Sequence, residues 1–93
     1  MRELDPLLHS QLRLAIVSLL LSVETADFVY LKEKTNATAG NLSVQLEKLE
    51  TAGYIQVKKE FVGKKTRTSC QLTDTERKAL EDYIDALREY INL

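Results

Sequence analysis

The sequence predicts an α+β fold that is mainly helical, and three observations support this class. Apolar residues recur at helical spacing in three stretches, around residues 12–23, 39–52 and 73–92. Two further stretches, 54–58 and 66–72, alternate in polarity and flank a glycine-containing turn, as the arms of a β-hairpin do. A chain of 93 residues is long enough for one core and too short for two, so a single domain is predicted over the whole chain.

The first predicted helix is apolar on nearly all sides. Asp5-Pro6 and Ser10 both offer a helix start, because Asp and Ser cap helix N-termini and Pro suits the first turn. From Leu12 to Val23 the main apolar stripe follows a spacing of 3-1-3-1-3, and further leucines and valines lie off this stripe. We therefore expect this helix to be buried on more than one side, with a partner chain covering the second side.

A short turn is predicted between the second and third helices. Residues 28–31 fit either a brief strand or the start of the second helix, which continues to Thr35. Asn36 suits a left-handed cap position, and Thr38 suits the N-cap of the third helix. The third helix is predicted from about residue 39 to 52 and is expected to end at Gly53, since glycine readily adopts the backbone conformation of a helix C-terminus.

The last helix carries a seam of apolar residues, and the core of the domain is already filled by the other helices and the hairpin. Residues 73–76, Thr-Asp-Thr-Glu, form a capping box that begins this helix. Three helices and a hairpin already fill the core of so small a protein, so residues 73–93 are expected to form a dimerisation helix. The predicted dimer interface joins this seam to the first helix and consists of Leu12, Ile16, Tyr83, Ile84, Leu87, Tyr90 and Ile91.

The order of elements is three helices, two strands and a final helix, with space for a short strand before the second helix. This order predicts a winged helix-turn-helix, with a three-helix core, a two- or three-stranded β-wing and a C-terminal dimerisation helix.

The third helix carries residue types that recognise DNA. In a helix-turn-helix the second helix of the pair enters the major groove, with its N-terminal residues at the base edges. Asn41 and Gln45 lie four residues apart on one face, and their amides can each bond adenine N6 and N7. Gly40 allows close approach of the backbone. Within the recognition segment, about residues 38–52, other side chains suit phosphates, bases or a thymine methyl group: Thr38, Ser43, Val44 and Lys48.

The hairpin carries the positive charge of the chain. The formal net charge is −1, yet residues 54–68 contain five cations and one acid, whereas residues 73–93 contain six acids and three bases. Cations on one face bind phosphates whatever the total charge, because each neutralised phosphate releases counterions. The wing, about residues 58–67, is predicted to contact the DNA backbone or minor groove through Lys58, Lys64, Lys65 and Arg67. The alternative is a solvated edge hairpin that its lysines protect from aggregation.

The sequence contains no set of residues suited to catalysis. With one histidine, His9, and one cysteine, Cys70, it lacks the three or four ligands of a typical zinc site. It also lacks a glycine-rich phosphate loop and a nucleophile motif. We therefore expect a protein that is not an enzyme and holds no metal or cofactor, with Cys70 as a small buried hydrophobe.

Three segments resemble the small single-domain winged-helix transcriptional regulators of the MarR/ArsR-like class: LHSQLRLAIVSLL, TAGNLSVQLEKLETAGYI and KKTRTSCQLTDTER. The resemblance covers nearly all of the chain. It implies a homodimeric, sequence-specific regulator of transcription that binds double-stranded DNA, with paired terminal helices and with recognition helix and wing in adjacent grooves. The chain departs from the pattern at Val44 and Glu47, where such helices often carry a basic residue. The cysteine pair of metal-sensing relatives is missing, so metal sensing is not implied.

The sequence is compatible with two other functions. A winged-helix module that binds protein instead of DNA is indicated by the overall acidity and by Val44 and Glu47. A small-molecule effector between the dimer helices and the DNA-binding helices is the other, although no residue identifies such a ligand. The chain start lacks the pattern of a signal peptide, and the longest apolar run, Leu14–Leu21, is too short to span a bilayer. We therefore expect a cytoplasmic protein without membrane contact.

Overall fold

The computed structural model describes residues 6–91, which form four α-helices and three strands after a single 3-10 turn at Pro6–His9. The helices are α1 (Gln11–Ser22), α2 (Phe28–Thr35), α3 (Ala39–Thr51) and α4 (Asp74–Ile91), and the strands are β1 (Ala26–Asp27), β2 (Ile55–Val62) and β3 (Lys65–Leu72). The fold class is confirmed as mainly helical α+β, and the arrangement is a winged helix-turn-helix with a three-stranded sheet.

The three strands form one antiparallel sheet in the order β1-β3-β2. A two-residue turn joins β2 to β3, and its first residue, Gly63, has a φ of +67°. Lys64, the second turn residue, has no positive φ, so the turn is of the II′ kind, whose twist matches that of the flanking strands. Both arms of the hairpin are longer than the alternation in the sequence indicated. The extra residues carry the wing beyond the core.

The short strand before α2 exists, but it lies two residues earlier than the stretch 28–31. Ala26 pairs with Cys70 and Asp27 pairs with Ser69, whereas Phe28 begins α2. The helix begins there because the Asp27 carboxylate accepts a hydrogen bond from the Tyr30 backbone N–H at 2.8 Å. The same aspartate therefore ends the strand and caps the helix.

Local capping residues fix the helix ends. The backbone N–H of Arg13 donates to Ser10 Oγ at 3.3 Å, so α1 begins at Ser10, whereas the alternative start at Asp5 lies outside the described residues. Asn36 adopts the predicted left-handed conformation with a φ of 57°. The Asn41 backbone N–H donates to Thr38 Oγ1 at 3.1 Å and so caps α3. The predicted caps at Ser10, Asn36 and Thr38 are confirmed.

The core lies between α1, α2, α3 and the sheet. It consists of aliphatic side chains from every helix and from the strands, with Tyr54 and Cys70 at the sheet, and none of its buried members among the described residues is polar or charged. Ile16 is fully buried there, so it has no exposed surface for contact with a second chain. Ile16 is therefore removed from the interface predicted from the sequence, because its side of α1 faces the core of the chain itself.

Helix α4 projects from this core, and the described chain measures 53 × 22 × 22 Å. Its only buried residue is Leu80. Thr73 fixes the start of the helix. Its hydroxyl oxygen accepts a hydrogen bond from the Glu76 backbone N–H at 3.3 Å, and the Thr73 backbone N–H donates to the Tyr54 carbonyl at 3.0 Å. Arg77 secures the first turn by donating to the carbonyls of Leu20, Leu21 and Val23 at 2.9 to 3.2 Å. These carbonyls end α1 and have no partner within that helix.

Candidate nucleic-acid interface

Helix α3 buries one side and exposes the other. Leu42, Leu46 and Leu49 face the core, and the side opposite them exposes Gly40, Val44, Glu47, Lys48 and Thr51. Val44 retains 48% of its surface exposed. Glu47 thus shares the most exposed ridge with Val44 and Lys48, which adds an acid to the surface predicted to approach DNA. Thr38 and Ser43 are also exposed.

Asn41 and Gln45 lie on the edge of α3 that faces the start of α1. Gln45 Oε1 accepts a hydrogen bond from Arg13 Nη1 at 2.6 Å, and Gln45 Nε2 donates to Asn41 Oδ1 at 3.1 Å. The Arg13 Nε–H also donates to the Leu7 carbonyl at 2.6 Å, which anchors the guanidinium. The three side chains form a single hydrogen-bonded chain, and Gln45 is half-buried within it.

Arg13 was not among the residues predicted from the sequence. The periodicity of the first helix draws attention to its apolar residues, and one arginine in that pattern is easily read as a solvated side chain. Its position one turn after the cap residue Ser10 was the available signal, because the first turn of a helix lies at the edge of the bundle. Only the tertiary fold brings Arg13 to Gln45, 32 residues away. It provides a cation beside a helix that the sequence showed as poor in cations.

The two faces of the hairpin carry different cations. Cross-strand partners share a face, so Lys58 with Ser69 and Glu60 with Arg67 lie on one face, and Lys59 with Thr68 lies on the other. Lys58 Nζ lies 3.7 Å from Glu60 Oε2. Arg67 Nη2 lies 3.6 Å from Oδ2 of Asp27, the capping residue of α2.

Lys64 and Lys65 lie at the tip of the wing and differ from those two cations. Within residues 6–91 neither forms an ion pair, and neither does Lys59. Both tip lysines are exposed. The four wing cations predicted from the sequence therefore divide into a tip pair without an internal counter-charge and two side chains that already face a carboxylate.

A groove of about 410 Å³ separates α3 from the hairpin, and its lining includes Ser43, Glu47, Glu50, Lys59 and Thr68. Cys70 lies in the sheet beneath this region and is 1% exposed. Burial, followed by the charge of Glu50, raises the pKa of the Cys70 thiol to about 11. The thiol is therefore protonated at neutral pH, as expected for a small buried hydrophobe and not for a reactive cysteine.

A family model for the winged helix DNA-binding domain matches residues 12–91. This chain belongs to the winged helix DNA-binding domain family. An uncharacterized protein of Methanocaldococcus jannaschii is 40% identical over 76 residues, which make up 82% of this chain and 83% of that protein.

Solved structures extend the comparison to transcriptional regulators. A transcriptional regulator homologue from Pyrococcus horikoshii has a TM-score of 0.77 and 26% identity, over 92% of this chain and 85% of that one. Bacillus subtilis PadR, solved in complex with operator DNA, has a TM-score of 0.67 over 81% of this chain and 47% of PadR. At 21% identity the likeness to PadR concerns the fold alone.

The winged helix domain carries one exposed aromatic residue that is not among the site residues predicted from the sequence. Phe61, near the end of β2, keeps 79% of its surface exposed and pairs with Thr66 across the hairpin. The strand pattern explains why it was missed, since alternation predicts which residues share a face but not where the core ends beneath that face. Phe61 lies on the core-facing side of the sheet at a point beyond the core.

The predicted dimer seam on α4 is half-buried near its middle and exposed at its end. Tyr83, Ile84 and Leu87 are half-buried, whereas Tyr90 and Ile91 are 59% and 78% exposed. Leu12 on α1 is also half-buried. Within the described residues no helix is both long and apolar enough to cross a membrane, and no group of three acidic, histidine or cysteine side chains is arranged to hold a metal ion.

Proposed function

We propose that this winged helix domain is a homodimeric, sequence-specific transcriptional regulator of the small MarR/ArsR-like kind, located in the cytoplasm. The observation that carries this function is the juxtaposition of the exposed side of α3 with a hairpin whose tip lysines form no ion pair among residues 6–91. We assign α3 to the major groove of double-stranded DNA and the wing to the backbone or minor groove. The chain then has a binding role without catalysis.

Affinity comes chiefly from the wing in this proposal. Lys64 and Lys65 can each neutralise a phosphate without first leaving a protein carboxylate. Lys58 and Arg67 have to exchange Glu60 and Asp27 for a phosphate, so the net gain per contact is smaller. Lys48 on α3 and Arg13 at the neighbouring start of α1 supply further positive charge, which Glu47 of α3 opposes.

Sequence preference comes from the start of α3. Thr38 precedes the first turn of α3, Gly40 and Asn41 belong to it, and Ser43 directly follows it. N-terminal residues of this kind approach base edges in helix-turn-helix complexes. Val44 is exposed on the same helix and suits a thymine methyl group. The polar side chains position the helix and select bases, and the wing adds affinity that does not depend on sequence.

Dimer formation is assigned to α4. We assign to the seam of a two-helix interface the apolar residues of α4 that recur at helical spacing beyond the buried Leu80: Tyr83, Ile84, Leu87, Tyr90 and Ile91. The exposed end of this seam is costly for an isolated chain, because the apolar surface of Tyr90 and Ile91 stays in water. A twofold dimer predicts an approximately palindromic operator with half-sites about 34–36 Å apart, or a multiple of that distance.

Titration of duplex DNA at several salt concentrations tests the function. Sites selected from a random duplex pool provide the specific probe, and an unselected duplex of equal length and base composition provides its control. We expect tighter binding to the selected site and an affinity that decreases steeply with salt. Absence of binding at low salt refutes the DNA-binding role, and capture of a stoichiometric protein partner under those conditions favours the protein-binding alternative.

A further inference from the structure

The hydrogen bonds among Arg13, Gln45 and Asn41 fix the direction in which each amide points. The guanidinium of Arg13 has only donors, so the Gln45 atom that faces it at 2.6 Å has to be the carbonyl oxygen. The NH₂ group of Gln45 then points towards Asn41, 3.1 Å away, where the facing atom has to be Oδ1. The NH₂ group of Asn41 is consequently turned away from Gln45. One arginine on α1 thereby sets the orientation of an amide on α3.

This orientation changes which base Asn41 can recognise. Adenine presents an acceptor at N7 and a donor at N6, so a bidentate contact needs both the oxygen and the nitrogen of an amide. The bond from Gln45 uses one of the two lone pairs of Asn41 Oδ1 and turns this oxygen towards Gln45, so the side of the amide that is turned away from Gln45 offers only donors. Guanine presents two acceptors, N7 and O6, on its major-groove edge. A side chain held as a donor matches guanine better than adenine.

We propose that Arg13 is a specificity-determining residue that acts through Gln45, and that it makes Asn41 select guanine over adenine in the major groove. This inference rests on the proposed DNA-binding function. Arg13 is a positioning residue in this arrangement, since its bonds to Leu7 and Gln45 hold the guanidinium at the side of α3. Asn41 is thereby assigned a contact with guanine, whereas the sequence alone suggests a contact with adenine.

The oxygen of a DNA phosphate is also an acceptor that the Asn41 amide could bind. The position of Asn41 favours a contact with guanine over one with phosphate. Asn41 lies in the first turn of α3, whose N-terminal residues approach base edges in helix-turn-helix complexes. A contact to phosphate would carry no base preference. Discrimination between guanine and adenine therefore separates the two acceptors experimentally.

The base pair that faces Asn41 is identified by Asn41→Ala, as the position of the selected site at which that variant loses its preference. Affinities are then measured for duplexes with guanine or adenine at this position. We expect the wild-type protein to prefer guanine by roughly 5- to 150-fold, the range of one good base contact. Replacement of that guanine by 7-deazaguanine, which lacks the N7 acceptor, is expected to weaken wild-type binding and leave Asn41→Ala unaffected.

Two variants break the chain of hydrogen bonds at different points. Arg13→Met removes the donor that orients Gln45. Gln45→Glu keeps an acceptor for Arg13 but has no NH₂ group to hold Asn41 Oδ1, so Asn41 is released to turn its oxygen outwards. We expect the guanine-to-adenine ratio to fall by at least several-fold in both variants. Lys64→Ala is the matched control, because it removes a positive charge without affecting the hydrogen bonds among Arg13, Gln45 and Asn41. It should lower the affinities for the guanine and adenine duplexes while leaving their ratio unchanged.

Side-chain amide resonances provide a readout that needs no DNA. In the free protein the NH₂ signals of Gln45 and Asn41 are expected to shift in Arg13→Met and to stay in place in Lys64→Ala. Wild-type protein that binds duplex but prefers adenine opposite Asn41, or shows no base preference there, overturns the inference. An unchanged guanine-to-adenine ratio in folded Arg13→Met and Gln45→Glu does the same and leaves the DNA-binding function standing. If the wild-type protein binds no duplex at all, both this inference and the proposed DNA-binding function are refuted.

Discussion

The salt dependence of DNA binding offers the most direct test of how this wing works. The perturbation is Lys64→Ala together with Lys65→Ala, which removes the two tip cations that have no ion pair within the described chain. In a dimer this change removes four phosphate contacts. Each neutralised phosphate contributes about 0.9 to the slope of log affinity against log salt concentration, so the slope should become shallower by about 3.6.

This slope change corresponds to a large difference in affinity loss. Between 50 and 200 mM salt the wild-type protein should lose about 150-fold more affinity than the double variant, as about 0.9 per contact for about four contacts over a fourfold change in salt implies. Fluorescence anisotropy with a labelled duplex measures both slopes in the same buffers. The loss should be similar for selected and unselected duplexes, because phosphate contacts carry no sequence information.

A charge-matched variant provides the control. Lys78→Ala with Arg88→Ala also removes two cations, but both lie on α4 and pair with acids of the same helix. Its slope should stay close to that of the wild-type protein. If the tip variant changes the slope no more than this control, the wing does not carry the phosphate contacts and the reasoning from unpaired lysines is wrong. Thermal unfolding of all three proteins checks that the fold is intact.

Three further predictions concern the scaffold. Ile84→Glu with Leu87→Glu should convert a dimer to a folded monomer at micromolar concentration in analytical ultracentrifugation, and a wild-type protein that is already monomeric there would refute the assignment of α4. Arg77→Met should lower the free energy of unfolding by about 3 kcal/mol in urea denaturation, because three carbonyls at the end of α1 lose a charged donor. An effect no larger than that of Arg88→Met, whose side chain is exposed, would contradict this role. The Cys70 thiol should stabilise the fold below pH 9.0, and this contribution should be lost as the pH rises towards about 11, since the folded state holds the proton more tightly than the unfolded state. The unfolding midpoint should therefore fall less steeply over that range in Cys70→Ala, and parallel curves would refute the pKa shift.

Much of this fold could be predicted from local patterns. The caps at Ser10, Asn36 and Thr38 follow from the chemistry of single side chains, and the hairpin follows from two alternating stretches around Gly63. These features depend on interactions within a few residues, so the sequence displays them directly. The helical periodicity likewise identified the buried side of α3 through its three leucines.

The candidate DNA-binding site was harder to predict from the sequence, because its properties depend on contacts between distant residues. Lys65 and Arg67 look equivalent in the sequence, yet of these two only Arg67 faces a carboxylate, because the pairing of β1 with β3 brings Asp27 close to it. Ile16 looked like an interface residue because a helix that is apolar all round does not reveal which side meets the core.

The sequence by itself determined the element types, their order and the location of the basic hairpin, since periodicity, caps and turn residues act over short distances. The tertiary structure alone decided that Arg13 meets Gln45 and turns Asn41. A contact across 32 residues leaves no periodic trace in the chain, and a hydrogen-bonding direction exists only once both partners are in place. Asn41 is therefore a polar residue by sequence, and its amide has a fixed direction only in the folded protein.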